Sequence, residues 1–319
     1  MTMTKRTLGQ NGPEVSALGL GCMGMSEFYG KTDRKAAIDT IHAALEAGVT
    51  LFDTGDFYGM GDNEMLLAEA LDGKRDRVFL QVKFGAQRAP DGSFIGVDAR
   101  PDSVKTALSY SLRRLGTDYT DLYMAPSDPD VAIEETVGAM GEMFDQGYIR
   151  HIGLMNVDAE TLRRANDTRP ITAVQQEYSL ISRDVEDEVL PLCRELGVGM
   201  TAYGVLSRGL LTGSTGNGEG DMRSTLLPRF QGENLTQNQL LARALAEVAE
   251  AEGITAAQAA IAWVANRGYD IVPLVGAKTV ERLTEALGAP LGLPESALDA
   301  IEKAVPSEGV AGGRHMVAG

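Results

Sequence analysis

Three side chains in this sequence have the types and spacing for proton chemistry. Asp53 and Tyr58 lie together in Phe52-Asp53-Thr54-Gly55-Asp56-Phe57-Tyr58-Gly59, and Lys83 follows in the next apolar run. A free phenol titrates near ~10. A neighbouring ammonium favours the phenolate, and a carboxylate can hold that ammonium charged and in place. The trio therefore suits a tyrosine hydroxyl that gives up its proton near neutral pH. Each residue alone has a plainer reading, since an Asp-Thr pair can cap a turn and a loop tyrosine often only packs. Their arrangement on neighbouring elements carries the chemical reading.

The elements that must position them are short apolar or β-branched runs alternating with helical patterns. Strands are predicted at 15–20, 50–54, 78–84, 121–124, 149–154, 173–177, 199–203 and 271–275. Helices are predicted at 34–47, 63–71, 101–115, 133–146, 159–165, 185–196, 237–252, 256–266 and 280–287. Gly48, Gly116, Gly147, Gly197 and Gly253 each follow an apolar-periodic run, as left-handed helix caps do. Eight strands alternating with helices, without a linker, predict one α/β domain over 1–319, a (β/α)8 TIM barrel.

The alternative, a doubly wound sheet, calls for a glycine fingerprint that opens a helix after its first strand. Gly19-Leu20-Gly21-Cys22-Met23-Gly24 has the spacing, but Ser26-Glu27-Phe28-Tyr29-Gly30 follows in place of a helix start. In a barrel, Asp53 ends strand two, Tyr58 sits in its loop and Lys83 ends strand three, all on the catalytic face. Residues 5–13 are expected to pair with 15–17 as an N-terminal hairpin plugging the opposite end. Residues 213–234, rich in Gly, Ser, Thr and Asn, form a long loop after strand seven, and 291–319 form a C-terminal tail.

The formal net charge of −16 argues against nucleic acid and anionic membranes as partners. Two cysteines, Cys22 and Cys193, are too few for a disulfide framework and read as small core residues. No Cys/His cluster has metal spacing, so no metal is expected. No targeting segment or membrane span is legible, which points to a cytoplasmic protein acting on a small molecule.

Over about residues 5–290 the chain resembles the aldo-keto reductases. The resemblance is carried by Arg6-Thr7-Leu8-Gly9, Val15-Ser16-Ala17-Leu18-Gly19-Leu20-Gly21, the Asp53–Gly59 motif, Lys83-Phe84-Gly85, Asp118 to Tyr123, Ile152-Gly153-Leu154, Glu177-Tyr178-Ser179 and the segment Val272 to Glu285. It implies Tyr58 as proton donor to a carbonyl oxygen, Lys83 lowering its pKa and Asp53 holding Lys83. It also implies a histidine after strand four, in a pattern like Asp-Leu-Tyr-x-x-His. Here the run is Asp121-Leu122-Tyr123-Met124-Ala125-Pro126-Ser127, which puts Pro126 at that position.

The three histidines, His42, His151 and His315, read as structural or surface residues. Loss of one such donor removes ~2.7–4 kcal/mol of transition-state stabilisation. Four readings stay open. Tyr58 suffices for a reactive carbonyl; Ser127, the 28–29 pair or the long loop supplies the donor; the reduced bond is an imine or activated alkene; or catalysis is lost and nucleotide binding kept.

The resemblance further implies NADP(H) as cofactor, bound in extended form. Asn156 and Gln175 match the groups holding the nicotinamide amide, and Tyr203 the ring stacked on it. Leu206 and Arg208 lie beside the pyrophosphate, and Met23 joins from the end of strand one. Gly276, Lys278, Arg282 and Glu285 run into a helix N-terminus, where Lys278 and Arg282 would grip the 2′-phosphate. Met155 stands where the family often has Ser, and Ala286 where it often has Asn. The expected substrate walls are Phe28, Tyr29, Phe57, Phe84, Pro126, Arg229 and Phe230, which favour an apolar or aromatic substrate. A regulatory nucleotide-binding protein, like the potassium-channel β subunits that resemble this family, is the reading from another class. The retained trio favours an enzyme.

Overall fold

A computed structural model describes residues 3–314, so His315 and the last residues of the tail lie outside the described region. Eight parallel strands close into a barrel: β1 (Gly19–Gly21), β2 (Leu51–Gly55), β3 (Phe79–Lys83), β4 (Thr120–Pro126), β5 (Ile149–Met155), β6 (Ala173–Glu177), β7 (Gly199–Tyr203) and β8 (Ile271–Gly276). The outer layer is built from α1 (Arg34–Glu46), α2 (Asp62–Ala70), α3 (Pro101–Leu115), α4 (Ile133–Asp145), α5 (Ala159–Thr168), α6 (Val189–Leu196), then, after the short α7 (Arg223–Leu226) of the long loop, α8 (Gly232–Ala251), α9 (Ala256–Ala265), α10 (Val280–Leu287) and α11 (Glu295–Ala304). The barrel is the expected one, and α3 and α10 occupy the predicted ranges.

The run read as one strand at 15–20 is two. Glu14–Ser16 pairs antiparallel with Lys5–Thr7, and only Gly19–Gly21 enters the barrel. The chain turns between them, with the Ser16 hydroxyl donating to the Leu18 carbonyl at 2.7 Å. The resulting hairpin closes the N-terminal end. Leu8 and Val15 pack fully buried against Leu51, Phe79, Leu122, Met124, Ala173, Val272 and Leu274. Arg6 secures it by donating to the carbonyls of Ala265, Gly268 and Ile271.

Four further departures have local causes. The helix expected from 185 begins at Val189, because Pro191 lacks an N–H and is tolerated only in a first turn. Helix α8 starts at Gly232, earlier than its periodicity shows. The C-terminal tail contains α11, whose Ile301 is fully buried and whose Glu302 accepts from Trp263 Nε1 at 3.0 Å. An unforeseen hairpin, Ala86–Arg88 with Phe94–Val97, follows β3.

Candidate active site

The ends of β2 and β3 lie side by side, Asp53 opposite Gln81 and Gly55 opposite Lys83. Alternate residues of a strand share a face, so Asp53, Gln81 and Lys83 all point into the barrel. There Asp53 Oδ1 accepts from Lys83 Nζ at 2.5 Å, Gln81 Nε2 at 2.7 Å and Gln175 Nε2 at 2.8 Å. All four side chains are buried. A buried carboxylate and ammonium of this kind require such pairing. Gln81 was missed from the sequence, although a polar residue two before Lys83 in an apolar strand is the signal that marks it.

Tyr58 is carried by a short turn, Tyr58–Gly61, whose Gly59 and Met60 are left-handed at φ 55° and 54°. That turn folds the ring back over the barrel, where it is buried. Lys83 Nζ lies 4.9 Å from the ring centroid, over its face. Burial, and then the Asp53 carboxylate, hold the phenol well above the usual tyrosine range, with Tyr29 and Tyr203 adding to the effect. This is opposite in direction to the lowering expected from Lys83, whose charge is paired with Asp53. Burial thus favours the protonated phenol. Burial also pulls Lys83 below its usual range, against the opposing pull of Asp53.

Asn63 knits loops one and two together. It accepts from the Thr54 hydroxyl at 2.7 Å and donates to the Cys22 carbonyl at 2.9 Å and the Ser26 hydroxyl at 2.8 Å. Pro126 closes β4, and Gly85 beside it is left-handed at φ 100°, where a Cβ would lie 2.9 Å from Pro126 Cγ. Ser127 is exposed. Neither described histidine reaches the site. His42 Nε2 lies 2.8 Å from the Ala70 carbonyl, and His151 sits beside the Thr172 hydroxyl near the start of β5, pulled low by burial.

The expected cofactor residues line one arc of the mouth, from β5 round to β1. Asn156 follows β5 in a left-handed conformation, φ 51°, and its Oδ1 accepts from the Tyr203 hydroxyl at 3.0 Å. Burial, then Glu177, push Tyr203 up to about 12. Gln175 turns its amide nitrogen onto Asp53. Leu206 opens a turn in which Arg208 is left-handed, φ 58°, and the Arg208 guanidinium pairs with Glu177 at 3.4 Å.

Where β1 and β8 pair, Gly21 and Gly276 keep the space beside the strand ends clear. A Cβ on Gly21 or Gly276 would meet nothing closer than 3.8 Å. Met23 starts the turn after β1, half-buried. Beyond Gly276, Thr279 caps α10 by accepting from the Arg282 amide at 3.4 Å, and the Arg282 and Glu285 side chains are exposed. A helix N-terminus with an exposed guanidinium suits a phosphate. Lys278 is differently engaged, since its Nζ donates to the carbonyls of Tyr29 at 2.9 Å, Gly30 at 3.3 Å and Lys31 at 2.8 Å.

Of the expected substrate walls, Phe57 stands edge-on to Tyr58 at 4.8 Å, and Phe28 and Tyr29 pair edge-on at 5.1 Å in the first loop. Phe84 is not a wall. Lys83 points inward, so its successor points outward, where Phe84 is fully buried and stacked 4.6 Å from Tyr123. Phe230 is likewise packed into the core by the long loop, while Arg229 donates to the Ser182 hydroxyl at 2.8 Å beside Glu177. Pro126 is buried at the floor of the mouth.

Residues 17–306 match the model of the aldo/keto reductase family. This chain belongs to that family. A probable aldo-keto reductase of Glycine max is 40% identical over 316 residues, 97% of this chain and 90% of that protein. The glycerol dehydrogenase of Gluconobacter oxydans superposes with a TM-score of 0.85 at 25% identity, covering 95% of each chain. An aldo-keto reductase of Klebsiella pneumoniae, solved with NADP and acetate, superposes with a TM-score of 0.76 at 28% identity, covering 95% of this chain and 96% of that one. The aldo-keto reductase described here is accordingly an NADP(H)-dependent oxidoreductase.

Proposed function

We propose that this aldo-keto reductase reduces the carbonyl group of an aldehyde or ketone, with Tyr58 as proton donor. The observation that carries the reading is the buried ensemble of Asp53, Lys83 and Tyr58 at one end of the barrel, where burial favours the protonated phenol. When bound, NADPH supplies the hydride that adds to the carbonyl carbon. Tyr58 passes its proton to the oxygen and is left as a phenolate. Lys83, held charged by Asp53, lies over that ring and offsets the new negative charge. Arg282 and the first turn of α10 suit the 2′-phosphate of NADP(H), and Tyr203 offers the nicotinamide a ring face.

Pro126 favours a second reading, in which the reduced bond is an imine or an activated alkene, because no β4 side chain donates a hydrogen bond to an oxyanion. The substrate is a small molecule, and the setting proposed is the cytoplasm. The test is NADPH oxidation against aldehydes, ketones, imines and enones, with Tyr58→Phe alongside. Carbonyl turnover that collapses in Tyr58→Phe is expected. Unchanged turnover in that variant overturns the proton-donor role, and turnover confined to imines or enones selects the second reading.

A further inference from the structure

Pro126 leaves the substrate oxygen with a single donor unless another element supplies one. The first loop carries a phenol that the fold takes trouble to hold. Phe28 sits at φ 76°, a conformation that aromatic residues rarely adopt, and it redirects the chain before Tyr29. The backbone beyond it is tied down on both sides. The Phe28 carbonyl accepts from Met222 N at 3.1 Å, Tyr29 forms a β-bridge with Asp221, and the Tyr29 carbonyl receives Lys278 Nζ at 2.9 Å.

The Tyr29 ring is held between the Phe28 ring at 5.1 Å and the Arg223 guanidinium at 5.2 Å. The turn bearing Tyr58 abuts the same loop, since a Cβ on Gly59 would lie 3.1 Å from Ser26 Cβ. The Tyr29 side chain also lies within electrostatic reach of Tyr58. Its other neighbour is the Arg208 guanidinium, anchored on Glu177 at 3.4 Å.

A guanidinium can only donate, so beside Arg208 the Tyr29 oxygen accepts and its proton is left for a third group. A hydrogen bond from a cation into a phenol oxygen strengthens the bond that the phenol donates onward. We propose that Tyr29, polarised by Arg208, is the second hydrogen-bond donor to the substrate oxygen and takes the role for which β4 offers only Pro126. Tyr29 keeps its proton throughout; the proton that completes the alcohol comes from Tyr58. The inference rests on the carbonyl-reductase reading.

The experiment is steady-state reduction of an aldehyde by wild type, Tyr29→Phe and Tyr29→Phe/Pro126→His, with NADPH affinity measured by fluorescence titration. Loss of one oxyanion donor lowers kcat by ~10²–10³, and that fall is expected in Tyr29→Phe with KM and NADPH affinity unchanged. A histidine introduced at 126 restores a donor, so partial recovery in the double variant is expected, which a merely structural role for Tyr29 would not produce. Undiminished kcat in Tyr29→Phe overturns the inference while leaving Tyr58 in its role. So does a fall in kcat that is matched by lost NADPH affinity, which would make Tyr29 an organiser of the cofactor loop. An inactive wild type overturns the carbonyl-reductase reading itself and this inference with it.

Discussion

Asp56, three residues after Asp53, is a buried acid whose carboxylate accepts from the amides of Phe57 and Gly85, while its Oδ1 is left without a partner. Glu64 faces it, and the Arg114 beside both is committed to Glu64 at 2.5 Å. Burial, then Glu64, push Asp56 up to about 7 against the opposing pull of Arg114 and the two amides. Glu64 is raised as well, burial again leading. An acid raised on folding stabilises most below its unfolded value near ~3.9, and that contribution is lost as pH climbs through about 7, by at most ~1.4 kcal/mol per pH unit. Asp56→Asn removes the titration and can donate to Glu64. Its melting temperature is expected to fall less than that of wild type between pH 5 and pH 8, as read by thermal scans across that window. An equally steep fall in both proteins would show that Asp56 is charged throughout. The acid was visible in the sequence motif, but its direction of titration was not, because that depends on burial. The same holds for Tyr58, where residue types suggested a lowered phenol and desolvation raised it.

At the scale of elements, the turn from β8 into α10 holds two cations with different tasks. The helical pattern over 280–287 after an apolar strand made this helix start legible in the sequence. The carbonyls that occupy Lys278 could not be read there, since they lie some 250 residues away in the chain and meet it only through barrel closure. Lys278 clasps the first loop, while Arg282 points to solvent. Arg282→Ala is therefore expected to weaken NADPH about 10- to 100-fold, the worth of a charge-assisted hydrogen bond, and to leave NADH nearly unaffected. Lys278→Met is expected to weaken both, by loosening the loop that carries Tyr29. Fluorescence titration of each variant with each nucleotide decides the matter. A purely NADPH-specific loss in Lys278→Met would restore the 2′-phosphate role expected from sequence. Phe84 teaches the companion lesson, because strand alternation alone, once Lys83 is placed inward, sends it to the helix layer.

At the scale of the whole molecule, the barrel divides stability from chemistry along its axis. The alternation of eight apolar runs with helical patterns made that architecture legible. The N-terminal hairpin was legible too, in the expected pairing of 5–13 with 15–17, but the turn that parts Glu14–Ser16 from Gly19–Gly21 was not, since Ala17 and Leu18 carry no turn signal. The hairpin closes the N-terminal end with Leu8 and Val15, and Asp53, Tyr58 and Lys83 occupy the other end. Close backbone approach sets its seat, since a Cβ on Gly199 at the start of β7 would lie 2.4 Å from Gly9 N. Leu8→Ala leaves a cavity in a site that the rigid strand ends around it cannot easily collapse to fill. Truncations of this kind cost ~2–5 kcal/mol. The expected result is a stability loss of that size in urea unfolding, with kcat and KM for the carbonyl substrate unchanged below the unfolding transition. A variant of native stability would mean that the hairpin is an ornament of the fold. A variant that folds fully and loses turnover would mean that the two ends of the barrel are mechanically coupled.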